Sequence, residues 1–262
     1  MKSILRKINR ITASFGINFK ILPSGLKYFL LYLKEYMTFK KLIKSNTDFK
    51  KIEIYPCLFD KYDDAGSISG HYFHQDYFVA QKIYINKPSK HVDIGSRIDG
   101  FVAHVATFMQ IEIFDIRNII SPYENIIYRH LDLLGDISQY ENYTPSLSSL
   151  HVLEHIGLGR YGDTIDINGH IKAFDNIFKI LMKNGVFYFS VPIGPQRIEF
   201  NAHRVFSIEY LLNLINQKYQ IISFSYVDDN GDLHTDVALD ELNIKNNFNC
   251  NFGCGIFELI KL

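Results

Sequence analysis

From Lys87 onward the chain alternates short apolar runs with longer segments whose apolar residues recur at helical spacing. Runs at 91–94, 110–115, 147–151, 186–191 and 220–226 read as strands, and segments 100–107, 169–182 and 207–217 read as helices. Asn184-Gly185 is expected to close the second of these helices with a left-handed turn. Residues 116–146 read as a polar connection. Strands alternating with helices predict an α/β fold: a Rossmann-like, doubly wound, mostly parallel sheet with helices on both faces.

Upstream, the apolar positions Leu30, Leu31, Leu33, Tyr36, Met37, Phe39 and Leu42 form a broad face opposed by lysines, with a break expected at Pro23-Ser24-Gly25. The chain is therefore divided into a basic amphipathic helical extension, 1–55, and a Rossmann-like domain, 56–262, with its core at about 88–262. Charge supports the division. Residues 1–51 hold twelve Lys/Arg against Glu35 and Asp48, although the whole chain is neutral. Packing of this segment onto the main domain is the favoured reading, and peripheral membrane contact through residues 1–51 is the lesser one. Lysines and Glu35 interrupt its apolar stretch, so no transmembrane helix is expected. Three cysteines, Cys57, Cys250 and Cys254, give no disulfide framework and point to a cytoplasmic protein. The basic segment matches no nucleic-acid motif, so no nucleic-acid partner is expected.

Candidate chemistry gathers where the predicted strands end. The first runs into Asp93-Ile94-Gly95-Ser96-Arg97-Ile98-Asp99-Gly100, a strand–turn–helix whose small residues let backbone amides approach a nucleotide or a carboxylate. About twenty residues later Asp115 ends the second strand, where a carboxylate can accept both hydroxyls of a ribose. Asp136 is expected at the end of the third strand, facing an adenine amine. After the fourth strand, His151 and His155 are candidates for a general base, and Glu154 orients a histidine or acts as base itself. His203 and Arg204 are placed over the same sheet edge to hold a hydroxylated or anionic substrate. His71 and His74, with Asp76, have spacing open to metal ligation, but substrate contact is preferred and no metal is expected.

The segments Val152 to Ile156, Leu181 to Pro192 and Val205-Phe206-Ser207 resemble successive motifs of the class I S-adenosylmethionine-dependent methyltransferases, in the branch called methyltransferase type 11. Gly70 to Asp76, His91 to Ala103, Ser148 to Asp163 and Phe200 to Phe206 resemble, more narrowly, the family called domain of unknown function number 268, often associated with bacterial surface-polysaccharide genes. The resemblance implies S-adenosyl-L-methionine as cofactor. Asp93, Gly95 and Gly100 would shape the methionine-end loop, Asp115 would hold the ribose, and Asp136 with the backbone of Ile137 would hold the adenine. Arg97 stands where the usual loop has glycine, and must swing outward or pair with the methionine carboxylate. The function expected is O-methylation of a sugar or surface-glycan precursor, a small-molecule or glycan substrate. The rivals are a non-catalytic binding module and an enzyme using a nucleotide sugar.

Overall fold

The computed structural model describes residues 22–45, 52–62 and 66–262, together with Thr12. The chain divides into two compact units, Met1–Ser67 and Ile68–Leu262. In the first, helix α1 spans Leu22–Leu42, followed by short 3-10 turns at Ile43–Ser45 and Asp60–Tyr62. The break expected at Pro23-Ser24-Gly25 is instead the first turn of α1, where a proline's missing N–H would have had no helical partner. The helical segment expected before it lies outside the described residues. Leu26, Leu30, Met37, Phe39 and Leu42 of α1 are exposed beside Lys34, Lys40 and Lys41. Among the described residues no helix is long and apolar enough to cross a membrane.

The second unit opens with helix α2, His71–Asn86, and strand β1, Val92–Ile94. A π-helical turn, Ile98–Val102, runs into α3, Ala103–Ala106, and the chain continues through β2, Ile111–Asp115, β3, Ile126–His130, and β4, Thr144–Leu150. Helix α4, Gly169–Ile180, leads into β5, Leu181–Ile193, then the hairpin of β6, Arg197–Glu199, and β7, His203–Val205. Helix α5, Ile208–Ile215, β8, Tyr219–Val227, β9, Leu233–His234, α6, Glu241–Asn246, and β10, Gly253–Lys261, complete the unit. The main sheet has the order β3-β2-β1-β4-β5-β10-β8-β9, with β10 antiparallel to both neighbours. From β3 to β5 every pairing is parallel.

Strand alternation sends successive side chains to opposite faces, and each face has its own core. Phe187 and Phe189 of β5 pack with Ala173, Phe174 and Ile177 of α4 and with Ile208 and Leu211 of α5. Tyr188, between them, packs on the other side with Val79 and Ile83 of α2, Phe101 of the π-helical turn and Val105 of α3. Helices cover both faces, as the pattern predicted. Helix α5 starts at Ile208 because Ser207 Oγ accepts a hydrogen bond from Tyr210 N at 3.2 Å, an N-cap.

Two local expectations are corrected. Helix α4 ends at Ile180 with Leu181 extended, and left-handed Asn184 sits within β5 instead of capping the helix. Leu181 and Val186 pair with Thr144 and Ser146, so residues 182–185 bulge from the ladder. The third strand is β3, inside the supposed polar connection. Its edge position leaves Ile126, Ile127 and Tyr128 only half-buried and Arg129 and His130 exposed, so its apolar run stops after three residues. Asp136 consequently lies beyond the strand end: it is exposed, and its Oδ1 accepts from Ser138 N at 2.9 Å, while Ile137 is buried in the core.

Candidate active site

The carboxyl ends of β1 to β4 surround a cavity of about 590 Å³, the edge at which parallel α/β sheets bind ligands. The turn after β1 supplies Gly95, Ser96 and Arg97 to its lining. Gly95 has φ +66°, a left-handed conformation, and an added Cβ would press within 3.1 Å of Val152. Asp93 does not reach the cavity. It is buried beneath the turn, where its carboxylate accepts from Ser96 N at 3.0 Å, Ser96 Oγ at 2.7 Å and Ser148 Oγ at 2.5 Å. Burial pushes its pKa up to about 7, against the pull of those donors.

That shift has a sign. Folded Asp93 keeps its proton to about pH 7 and the unfolded carboxyl only to about 3.8, so its contribution to stability is present at low pH and lost as pH rises through about 7. Urea midpoints are therefore expected to move in favour of Asp93→Asn, relative to the unsubstituted protein, between about pH 5 and about pH 8. A difference that stays constant over that range refutes the burial of a titrating carboxyl here.

At the end of β2 the Asp115 side chain is only 4% exposed, and a half-exposed Arg117 occupies it. Oδ1 accepts from Arg117 N at 2.8 Å and Nε at 3.0 Å, and Oδ2 accepts from the guanidinium at 2.6 Å. With two lone pairs per oxygen, one acceptor position remains on Oδ2. A ribose diol needs two, so Arg117 must release one oxygen for a nucleoside to seat. The guanidinium also lies over the Tyr161 ring, 4.7 Å from its centroid. Beyond β3 the cavity is lined by Leu131, Asp132 and Leu133. Asp132 thus stands where Asp136 was expected.

The two histidines after β4 differ in kind. His151 lines the cavity at φ +56°, a strained conformation for a non-glycine residue. Its Nδ1 meets Glu154 Oε1 at 2.7 Å, and Glu154 is buried outside the cavity lining. Burial disfavours charge on His151, but Cys254 and Glu154 together outweigh it and hold its pKa well above the ordinary value. Glu154, disfavoured as an anion by burial, is nevertheless held below the usual carboxylate range by His151. His155 is the reverse case: burial lowers its pKa although Glu154 opposes the shift. His155 Nδ1 donates to Ala202 O at 2.6 Å, which leaves Nε2 to carry the lone pair, 3.6 Å from Glu154 Oε1. The edge of the Tyr161 ring packs against it at 5.5 Å. A neutral imidazole at neutral pH is the form that takes a proton.

The profile of the family described as Caenorhabditis protein of unknown function, DUF268, matches residues 101–252, more than half the chain. The chain belongs to this family. No curated protein matches it in sequence. Among solved structures it resembles the Burkholderia thailandensis 1,6-didemethyltoxoflavin-N1-methyltransferase, with 1,6-didemethyltoxoflavin and S-adenosylhomocysteine bound, at TM-score 0.50 and 13% identity over 71% of this chain and 78% of that one. It also resembles the [4+2]-cyclase SpnF, at TM-score 0.50 and 10% identity over 71% of this chain and 80% of that one. The fold is thus the Rossmann-like fold of the class I methyltransferases. A methyltransferase and a cyclase share it, so the fold alone selects no reaction.

Arg97 stays at the rim of the cavity but turns its charge aside: its guanidinium pairs with Asp99 Oδ2 at 2.8 Å and lies over Tyr72, with the side chain half-exposed. Other residues singled out in this DUF268 chain fall away from the cavity. Gly100 makes room for Asp76, whose Oδ2 an added Cβ would displace. Arg204 is buried and donates to Ile156 O at 2.7 Å, tying down the loop after β4. His203 packs on Phe252 and His155 behind the cavity, and His74 lies edge-on to Phe73 in α2. His71 stacks on His151 instead of lining the cavity. Sequence reasoning missed Arg117, Tyr161 and Asp132. The only sequence signal for Arg117 was a cation two residues after the predicted ribose carboxylate, and for Tyr161 it was a place in the Gly-rich insertion 157–163, which reads as a lid.

Proposed function

We propose that this chain is an S-adenosylmethionine-dependent O-methyltransferase acting on a sugar or surface-glycan precursor. The observation that carries the reading is the cavity itself, which brings the left-handed Gly95 turn, the buried carboxylate of Asp115 and the neutral imidazole of His155 to one sheet edge. Its volume suits a molecule of nucleoside size, and Leu131 and Leu133 offer apolar surface to a planar base. Asp115 would hold the ribose once Arg117 releases an oxygen, and the backbone of the Gly95 turn would hold the methionine end. The bound cofactor supplies an electrophilic methyl group. His155 Nε2 takes the proton from the acceptor hydroxyl, Glu154 holds His151, and the Tyr161 ring limits the access of water. Positioning contributes most, on the order of 7–11 kcal/mol in well-aligned systems, and general-base help about 10²- to 10⁴-fold.

The test is calorimetric titration of the full chain with S-adenosylhomocysteine. Binding at micromolar concentrations supports the reading, and no binding by folded protein overturns it. The Arg117–Asp115 pair favours one rival, a non-catalytic module, which the same titration separates; preference for a uridine or guanosine nucleotide would favour a nucleotide-sugar enzyme. With an acceptor in hand, the acid limb of kcat/KM is expected to fall below about pH 6.5, the ordinary histidine value, because a lowered His155 pKa keeps the base neutral to lower pH. A limb above that value removes His155 as the base. The exposed leucines and lysines of α1 further support contact with an anionic membrane surface. Co-sedimentation with phosphatidylglycerol vesicles, but not with phosphatidylcholine vesicles, is the expected result.

A further inference from the structure

At the margin of the cavity lies a largely buried cluster to which the function proposed above gives no role in binding the cofactor or taking the proton. His71 begins α2, His151 follows β4, and Cys254 lies in β10, yet one ring nitrogen of each histidine and the Cys254 Sγ lie within 4.8 Å of one another. The Nε2 of His151 is buried and has, among the described residues, no hydrogen-bond partner of good geometry, only the Cys254 thiol beside it, while its Nδ1 is held by Glu154 at 2.7 Å. His71 hydrogen-bonds to the backbone of Phe252 and stacks on His151 with ring centroids 5.3 Å apart. Cys254 is fully buried, and its Sγ lies 3.8 Å from Gln75 Oε1.

We propose that His71, His151 and Cys254 form a binding site for a divalent metal ion of the zinc class. Imidazole nitrogen and thiolate sulfur are the donors such ions prefer, and tetrahedral coordination would bring the three atoms, now within 4.8 Å of one another, to roughly 3.5 Å apart, with the half-buried His71 ring turning out of its stack on His151. The surroundings match what ligating histidines need. A ligating imidazole normally has its second nitrogen tied to a carboxylate or a carbonyl, as Glu154 ties His151 here, and the ion would displace the proton of His151 Nε2 and that of the Cys254 thiol into solvent. The ion would satisfy the orphaned Nε2, whose burial otherwise costs free energy. Three protein ligands leave a fourth position for water or a ligand. Nucleophilic use of Cys254 is the weaker reading, since a thiol with no exposed surface is closed to a substrate. The proposal departs from the expectation of no metal drawn from the sequence, because its ligands come from three elements that no sequence spacing connects.

The site can be tested without any assay of activity or of nucleotide binding. Full-length protein, stripped with a chelator and kept reduced, is titrated with Co²⁺ alone and then with Zn²⁺. One Co²⁺ per chain is expected, with the intense visible bands of tetrahedral cobalt and a near-ultraviolet sulfur-to-cobalt band, all displaced by Zn²⁺. Cys254→Ser is expected to lose the sulfur band, Cys250→Ser to keep it, and Glu154→Gln to bind about 10- to 100-fold more weakly. Should Cys254→Ser fail to fold, the unsubstituted protein, Cys250→Ser and His71→Ala decide the matter, the last losing tetrahedral binding. Folded protein that takes up no stoichiometric Co²⁺, or a sulfur band that vanishes with Cys250→Ser or survives in folded Cys254→Ser, overturns the proposal.

Discussion

Replacing Asp115 with alanine is expected to weaken S-adenosylhomocysteine binding by at least about 100-fold, with little change in stability. Two hydrogen bonds from a ribose to a buried carboxylate are worth roughly 3 kcal/mol or more, which is that factor in affinity. The variant should still fold, because the partner left behind, Arg117, is half-exposed and can be hydrated. The Tyr128 hydroxyl, which donates to the Asp115 backbone oxygen at 3.0 Å, keeps its bond. Asp136→Ala is the matched control. Asp136 is exposed and only caps Ser138, so its loss should leave affinity unchanged. Equal loss in both variants, or none in either, removes Asp115 from the site.

Gly157→Ala is expected to destabilise the domain by about 3 kcal/mol, the sum of a left-handed conformation forced on alanine and an overpacked contact. Gly157 has φ +83°, and an added Cβ would collide with the backbone oxygen of Asp166. The backbone amide of Gly157 also donates to Asp163 Oδ2 at 2.6 Å, the bond that closes the loop carrying His155 and Tyr161 toward the cavity. Calorimetric melting should show a fall of roughly 6–12 °C for a domain of this size. Gly162→Ala calibrates the result, since Gly162 has φ +86° with nothing within 4 Å of the added carbon. Its cost is backbone strain alone, about 1–2 kcal/mol. Equal shifts in the two variants would show that the Asp166 contact does not hold the loop.

The candidate site was legible in proportion to how local its signals are. Gly95 and Asp115 were readable because each marks the end of an apolar run, and a buried strand that opens into a turn announces itself within a few residues. Asp136 misled because β3 runs along the sheet edge, so Tyr128-Arg129-His130 lack the apolar signature and the strand end was placed six residues too late. His151 and His155 were both found as candidates, but their roles were not separable. What divides them is the company each keeps, Glu154 and Cys254 at one ring and the Ala202 carbonyl at the other.

By itself, the sequence determined the α/β class, the helices on both faces and most strand positions, because hydrophobic periodicity is a local property of the chain. It also marked which strand ends carry acids and histidines. Only the tertiary structure decided that Arg117 closes on Asp115, that Arg204 ties down a loop instead of facing a substrate, and that Cys254 meets His71 across 183 positions of sequence. Those contacts arise where separate elements are packed together, and burial then sets the charge of each group. Neither effect leaves a trace in spacing along the chain.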